Sequence, residues 1–147
     1  MKRALAAVAA VLALATSCAG SDEVSGDRRV VGGVTLTFTV RPARIEVGKT
    51  VRFALRVTNI AGREAELSFP TSKEYDFWVT RGRDEIWRWS DDRLFTQAIE
   101  HTKIDPQGSL TLSEPWVASP AGTYTVHGEL QADGFRRELT GELRVGN

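Results

Sequence analysis

A two-residue alternation of apolar and polar side chains runs through most of this chain and constrains its fold more than any other feature. In residues 34–40, apolar side chains at every second position alternate with threonines, which is typical of a half-buried strand. Further runs of this kind cover residues 51–57, 65–69, 75–79, 86–89, 110–112, 124–130 and 135–145. Because no segment shows helical periodicity, the pattern predicts an all-β chain of seven or eight short strands in an antiparallel sandwich.

Turn-forming residues separate these runs. Residues 105–108 and 119–122 each have Asp or Ser first, Pro second and Gly fourth, a pattern that predicts type I turns. Asp133-Gly134 lies between the last two runs and predicts a hairpin turn. One short helical turn is predicted at residues 91–95, with Ser90 as its N-cap and two aspartates near its start.

The N-terminus carries the features of an export signal. Residues 1–3 are positively charged, and residues 4–15 form an uncharged apolar run that is too short to span a bilayer. These features predict a signal peptide at residues 1–17. Cys18 is the only cysteine, which excludes an intramolecular disulfide. Its context resembles a bacterial lipobox, so Cys18 is the predicted lipid attachment site. The alternative is ordinary cleavage nearby, which would leave Cys18 as a free thiol.

The remaining chain divides into two predicted parts. Residues 18–33 are predicted to be a lipidated N-terminus and flexible tether, because residues 19–27 are small, polar and acidic and lack periodicity. Residues 34–147 are predicted to form one sandwich domain. We therefore expect an exported cell-envelope lipoprotein that is attached to the membrane through a lipid anchor.

Composition and motifs argue against several classes of function. The chain has 19 basic and 19 acidic residues, so it lacks the basic excess typical of nucleic-acid binding. His101 and His127 have no further ligand at metal-binding spacing, so no metal site is predicted. The carboxylate pairs at residues 84–85 and 91–92 are sequence neighbours that point in different directions and cannot flank a substrate. No catalytic motif is present, and the chain is predicted to be neither an enzyme nor a cofactor protein.

Aromatic residues are concentrated between residues 75 and 95. Large apolar side chains on both faces of neighbouring strands cannot all belong to the core of a two-layer sandwich. Some could pack under the segment of residues 90–96, and others could form an exposed patch that binds a partner. Both interpretations stay open. The candidate partner-binding residues are Tyr75, Trp87, Trp89, Asp92 and Phe95.

The same region resembles the BsuPI-type intracellular proteinase inhibitor family. The resemblance rests on residues 69–79, 85–90 and 95–98 and continues through residues 105–110 and 121–126. It spans roughly residues 34–130. It implies an immunoglobulin-like antiparallel β-sandwich and inhibition of a subtilisin-type serine protease.

Two hypotheses for the function follow. The first is an inhibitor of subtilisin-type serine proteases at the cell envelope, whose partner is such a protease. The second is a non-inhibitory immunoglobulin-like module that binds an envelope protein or glycan, since a fold alone does not fix a function. An inhibitor needs a loop held rigidly in an extended conformation. The candidate loops are residues 70–74, 81–84 and 90–96.

Overall fold

The computed structural model of the protein describes residues 24–147 and contains eleven strands in that range. The strands are β1 (Ser25–Val31), β2 (Val34–Arg41), β3 (Arg44–Glu46), β4 (Thr50–Asn59), β5 (Ala65–Phe69), β6 (Tyr75–Arg81), β7 (Asp84–Arg88), β8 (Glu100–Ile104), β9 (Ser109–Val117), β10 (Gly122–Leu130) and β11 (Glu138–Gly146). The all-β prediction is confirmed. Eight strands correspond to the alternating runs, and the three additional ones are β1, β3 and β8.

The strands form two main sheets that pack face to face. The four-stranded sheet has the order β1-β2-β4-β9, and the five-stranded sheet has the order β3-β11-β10-β6-β7. A small third sheet pairs β5 with β8. All pairs are antiparallel except β3 with β11. The Tyr124 hydroxyl donates a hydrogen bond to the Pro120 carbonyl oxygen at 2.5 Å, which is the tyrosine corner of immunoglobulin-like folds. The predicted immunoglobulin-like antiparallel β-sandwich is therefore confirmed.

The core lies between the inward-facing positions of the two main sheets. The alternating apolar residues of β2 and β4 are completely buried. These residues are Val34, Leu36, Phe38, Val40, Val51, Phe53, Leu55 and Val57. Phe77 of β6 meets them from the other sheet, with its ring centroid 5.9 Å from that of Phe38 and 6.2 Å from that of Phe53. The two-residue period thus places one face of each strand in a shared apolar interior.

The first strand lies in a segment that was predicted to be a tether. β1 pairs antiparallel with β2 along its full length. Gly32 and Gly33 join the two strands and both have positive φ, as a type I′ hairpin turn requires. The prediction of a flexible tether is therefore wrong for residues 25–31. β1 lacks the alternation because it is an edge strand whose side chains are mostly exposed.

The other N-terminal predictions lie outside the described residues. These are the signal peptide at residues 1–17, the lipid attachment at Cys18 and the tether through residue 23. Within residues 24–147, the chain contains no helix with the length and apolar character that a membrane span requires.

Two turns differ from the predicted type. Gly108 N donates to Asp105 O at 2.8 Å, as in a β-turn, but Gln107 has a φ of 64°. A positive φ at the third residue defines a type II turn rather than a type I turn. The Ser119–Pro120 peptide bond is cis, which also does not match the predicted type I geometry. The hairpin predicted at Asp133-Gly134 is confirmed, because this pair lies in the connection between the antiparallel strands β10 and β11.

Candidate functional site

The site is built on the hairpin formed by β6 and β7 at the edge of the five-stranded sheet. Gly82, with a φ of 61°, allows a tight turn between the two strands. The register then places Arg88 opposite Trp78. Trp89 N donates to Phe77 O at 2.9 Å, so the chain stays attached to β6 just beyond the end of β7. This attachment fixes the start of the connection from β7 to β8, residues 89–99.

A buried carboxylate holds this region together. Asp76 of β6 is only 1% exposed. Its Oδ2 accepts from Lys73 Nζ at 2.6 Å, from Ser90 Oγ at 2.7 Å and from Arg88 Nη1 at 3.0 Å. Arg88 also donates to both oxygens of Glu85, at 2.9 and 2.7 Å. We call these five residues the Asp76 network.

The Asp76 network keeps its central carboxylate charged. Burial raises the pKa of Asp76, but hydrogen bonds from Lys73, Ser90 and Arg88 outweigh this effect and hold the pKa below its ordinary value. The guanidinium of Arg88 has a raised pKa, chiefly because of its hydrogen bonds to Glu85. The network therefore links β6, β7 and the first residues of the β7–β8 connection through charge-assisted hydrogen bonds.

Three aromatic rings continue from this network onto the connection. Trp89 stacks on Tyr75 with ring centroids 4.4 Å apart, and Phe95 contacts Trp89 at 5.7 Å. We call Tyr75, Trp89 and Phe95 the aromatic stack. The guanidinium of Arg93 lies 4.5 Å from the centroid of Trp89, which is within cation–π range.

The aromatic stack is tied to the opposite sheet by one hydrogen bond. The Tyr75 hydroxyl donates to Glu114 Oε1 at 2.6 Å, and Glu114 belongs to β9. Burial, followed by the contact with Glu114, raises the pKa of the Tyr75 hydroxyl. The hydroxyl therefore stays protonated and keeps donating this hydrogen bond at all physiological pH values.

The β7–β8 connection is held at a second point by Ser72. Thr96 N donates to Ser72 Oγ at 2.8 Å, and Ser72 N donates to Thr96 O at 3.1 Å. Between this anchor and Trp89, the side chain of Leu94 is fully exposed. Its two neighbours, Arg93 and Phe95, both rest on Trp89. The connection therefore projects one apolar side chain into solvent from a segment that is fixed on both sides.

The structure brings together three of the five candidate partner-binding residues. Tyr75, Trp89 and Phe95 form the aromatic stack, in which each ring is partly buried. Trp87 lies apart from it, 6.1 Å from Phe53 and close to Trp116 at the open edge between the main sheets. Asp92 is exposed in the turn that begins the connection. Their role in binding a partner stays a prediction.

The helical turn predicted at residues 91–95 is absent. A hydrogen-bonded turn is present instead, in which Arg93 N donates to Ser90 O at 3.2 Å. Ser90 does not cap a helix, because its Oγ accepts from Lys73 Nζ at 3.2 Å rather than from a backbone N–H, and it donates to Asp76 Oδ2.

The histidines have protein partners rather than metal-ligand neighbours. His127 stacks on Trp78 with centroids 4.9 Å apart, and its Nδ1 lies 2.6 Å from Glu138 Oε1. His101 lies 3.4 Å from Glu66. Residues 24–147 contain no group of three or more His, Cys, Asp or Glu side chains that could hold a metal ion.

The sequence interpretation did not include two central features of this site, Leu94 and the Asp76 network. In the sequence, Asp76, Arg88 and Ser90 each follow an aromatic residue, and Lys73 and Glu85 each lie two residues before one. The available signal for the Asp76 network was the presence of opposite charges at positions that a β6–β7 hairpin brings together. Leu94 had no such signal, because its exposure depends on how the neighbouring side chains pack.

Sequence comparison assigns the chain to a family. Residues 38–135 match the family described as BsuPI, intracellular proteinase inhibitor. This range is more than half of the 147-residue chain. The chain belongs to the BsuPI family. The matched range includes the Asp76 network, the aromatic stack and the whole β7–β8 connection. No curated protein matches the chain at significant sequence similarity.

Several solved structures are similar to this BsuPI-family chain at low sequence identity. The sporulation control protein Spo0M from Bacillus subtilis is 10% identical with a TM-score of 0.50, and the match covers 80% of this chain and 51% of Spo0M. The CARDB domain of a Pyrococcus furiosus protein, in complex with di-metal ions, is 12% identical with a TM-score of 0.40 over 84% of this chain and 92% of that domain. A Listeria innocua β-glucosidase in complex with glucose is 8% identical with a TM-score of 0.42, and the match covers 85% of this chain but 16% of the glucosidase.

Proposed function

We propose that this protein inhibits a subtilisin-type serine protease at the cell envelope and that the β7–β8 connection contacts the protease. One observation carries the proposal: Leu94 is fully exposed, while Arg93 and Phe95 on either side of it are held on Trp89. Membership of the BsuPI family supports proteinase inhibition in general.

A rigid segment binds a protease cleft more tightly than a mobile one. Each side chain that must be immobilised on binding costs about 0.5–1.5 kcal/mol. In this chain, the hydrogen bonds between Thr96 and Ser72 and the contacts on Trp89 restrict the connection before any partner arrives. A smaller loss of conformational freedom on binding is expected to favour a long-lived complex.

The rigidity comes from packing and charge rather than from a covalent link. Cys18 is the only cysteine, so no disulfide can hold the connection within the chain. The Asp76 network fixes the start of the connection through Ser90. Tyr75 fixes the base of the aromatic stack through Glu114 of the other sheet. Both attachments lie on the sandwich and do not depend on the protease.

Leu94 is the residue best suited to enter the protease. Burying a leucine side chain on binding contributes about 1.5–3 kcal/mol. Because Leu94 is already exposed in the free protein, this binding free energy is available without any unfolding of the inhibitor. We therefore expect a target protease with an apolar pocket for this side chain.

The envelope location follows from the predicted export signal. A signal peptide at residues 1–17 and a lipid on Cys18 would hold the inhibitor outside the cytoplasm. The target would then be an exported protease that meets the inhibitor at the same membrane surface.

A titration tests the proposed function. Residues 18–147 carrying Cys18→Ser would be purified and added in increasing amounts to a subtilisin-type protease, a trypsin-like protease and a zinc metalloprotease. We expect activity of the subtilisin-type enzyme to fall in proportion to the added protein, with no effect on the metalloprotease. If both serine proteases kept full activity when this protein was present in stoichiometric excess over them, inhibition would be rejected. The non-inhibitory binding module would then be favoured.

A further inference from the structure

The outward face of the four-stranded sheet carries a concentration of positive charge. The register aligns Arg28, Thr37, Arg56 and Thr111 in one row across the four strands. Arg41 and Arg52 face each other in a second row. All four arginines are exposed. We call Arg28, Arg41, Arg52 and Arg56 the arginine face.

No carboxylate compensates these charges on the described sheet. The outward positions of β1, β2, β4 and β9 hold Arg, Thr, Ser, Gly, Ala, Val and Pro, but neither Asp nor Glu. Arg56 Nη2 donates to Ser109 Oγ at 3.0 Å, and Arg52 Nη1 lies 3.4 Å from Ser113 Oγ. These partners are neutral hydroxyls, so the guanidinium charges remain available to an anion.

The charge is unusual because the chain as a whole is balanced, with 19 basic and 19 acidic residues. On the five-stranded sheet, exposed Arg144 and partly buried Arg88 are each paired with a carboxylate. Arg144 contacts Glu142 at 2.7 Å, and Arg88 contacts Glu85 at 2.7 Å. The two outer surfaces of the sandwich therefore differ in whether their arginines have carboxylate partners.

A shallow groove crosses the arginine face and contains an unsatisfied hydroxyl. Arg28, Thr35, Thr37 and Arg56 are among its lining residues. Thr35 is 5% exposed, and its Oγ1 has no hydrogen-bond partner among the described residues. A phosphate between the guanidinium groups of Arg28 and Arg56 would suit the two charges, because arginine forms bidentate hydrogen bonds with phosphate.

The position of the start of β1 indicates that the phosphate source is the membrane lipid. Ser25, the first residue of β1, pairs with Val40, next to Arg41. Seven residue steps separate it from the predicted lipid on Cys18, which is a reach of at most about 25 Å. A lipid-anchored chain would hold the arginine face close to the membrane surface.

We propose that the arginine face binds the phosphate groups of an anionic phospholipid membrane. This inference shares the expected envelope location with the proposed function but does not depend on protease inhibition. The arginine face lies on the four-stranded sheet, whereas the β7–β8 connection follows the edge of the five-stranded sheet. Membrane binding would orient the sandwich relative to the membrane surface that holds the predicted lipid anchor.

Vesicle binding tests this inference. Residues 18–147 with Cys18→Ser, which carry no lipid, would be mixed with vesicles of phosphatidylglycerol and phosphatidylcholine or of phosphatidylcholine alone. The test variant replaces all four arginines of the arginine face with Gln. The matched control replaces four exposed arginines that lie outside this sheet with Gln and so removes the same net charge. These arginines are Arg63, Arg83, Arg136 and Arg137.

We expect wild type and the control to bind the anionic vesicles in a salt-sensitive manner, and neither to bind neutral vesicles. Each arginine near an anionic surface strengthens binding about fivefold, so the test variant, which lacks four of them, should bind roughly 600-fold more weakly. Thermal unfolding would verify that both variants are folded. Equal loss of binding in the two variants, or no binding by wild type, would overturn the proposal. Binding to soluble inorganic polyphosphate without binding to vesicles would overturn the assignment to a lipid surface.

Discussion

The Asp76 network and the arginine face use charged side chains in opposite ways. Around Asp76, three donors surround one buried carboxylate. On the arginine face, four exposed guanidinium groups have no carboxylate on the same face of the sheet. A compensated, buried charge fixes local geometry, because losing one partner leaves another uncompensated. An exposed, uncompensated charge contributes little to folding and is available to a partner. The first region would therefore support a rigid contact segment, and the second a charged surface.

The largest expected difference between the regions is in stability. Asp76→Asn removes a buried charge and leaves Lys73 and Arg88, each about a quarter exposed, facing a neutral amide instead of a carboxylate. We expect the free energy of unfolding to fall by about 3 kcal/mol, the lower end for breaking a buried pair, because the partners reach solvent. Arg56→Gln on the arginine face should change it by about 0.5 kcal/mol or less. Urea denaturation measures the free energy of unfolding of both variants. Equal losses in the two variants would contradict the difference between the Asp76 network and the arginine face.

A smaller loss is expected at the aromatic stack. Trp89→Ala removes the partly buried ring that supports Tyr75, Arg93 and Phe95. Because the ring is not fully buried, we expect destabilisation of about 2 kcal/mol rather than the larger cost of a core tryptophan. The β7–β8 connection should also become more sensitive to limited proteolysis. Trp87→Ala is the matched control, since Trp87 packs away from the connection. Equal proteolysis of the two variants would contradict a bracing role for Trp89.

A still smaller effect is expected in the dependence of stability on pH. The pKa of Asp76 is lower in the folded state than its unfolded value of about 3.9. Its stabilising contribution is therefore complete above pH ~4 and is lost as the pH falls through the folded pKa. Asp76→Asn should lose less stability than wild type between pH ~5 and pH ~2. Parallel curves for the two proteins in urea denaturation at each pH would contradict this account.

The parts of the fold that alternation predicted are those in which one face of a strand is buried. β2 and β4 lie inside the four-stranded sheet and show the pattern clearly. β1 is an edge strand with a largely exposed surface, and β8 pairs only with β5 in a separate small sheet. Neither strand must present a continuous apolar face, so neither shows the pattern.

The candidate site was predictable only in part. Tyr75, Trp89 and Phe95 stand out because half of the twelve aromatic residues of the chain lie between residues 75 and 95. The arginine face could not be recognised, because its members are far apart in sequence and meet only through the register of three strands. Leu94 belongs to no periodic segment, and its exposure follows from the packing of Arg93 and Phe95 on Trp89.

Inhibition by matched variants tests the central claim most directly. Leu94→Asp changes the exposed apolar residue of the β7–β8 connection, whereas Val117→Asp changes an exposed apolar residue on β9. If the connection contacts the protease, Leu94→Asp should raise the inhibition constant for a subtilisin-type protease about tenfold to hundredfold, the equivalent of losing a buried leucine. Val117→Asp should leave that constant unchanged. An inhibition constant that is unaffected by Leu94→Asp, while wild type still inhibits, would contradict the assignment of the contact segment.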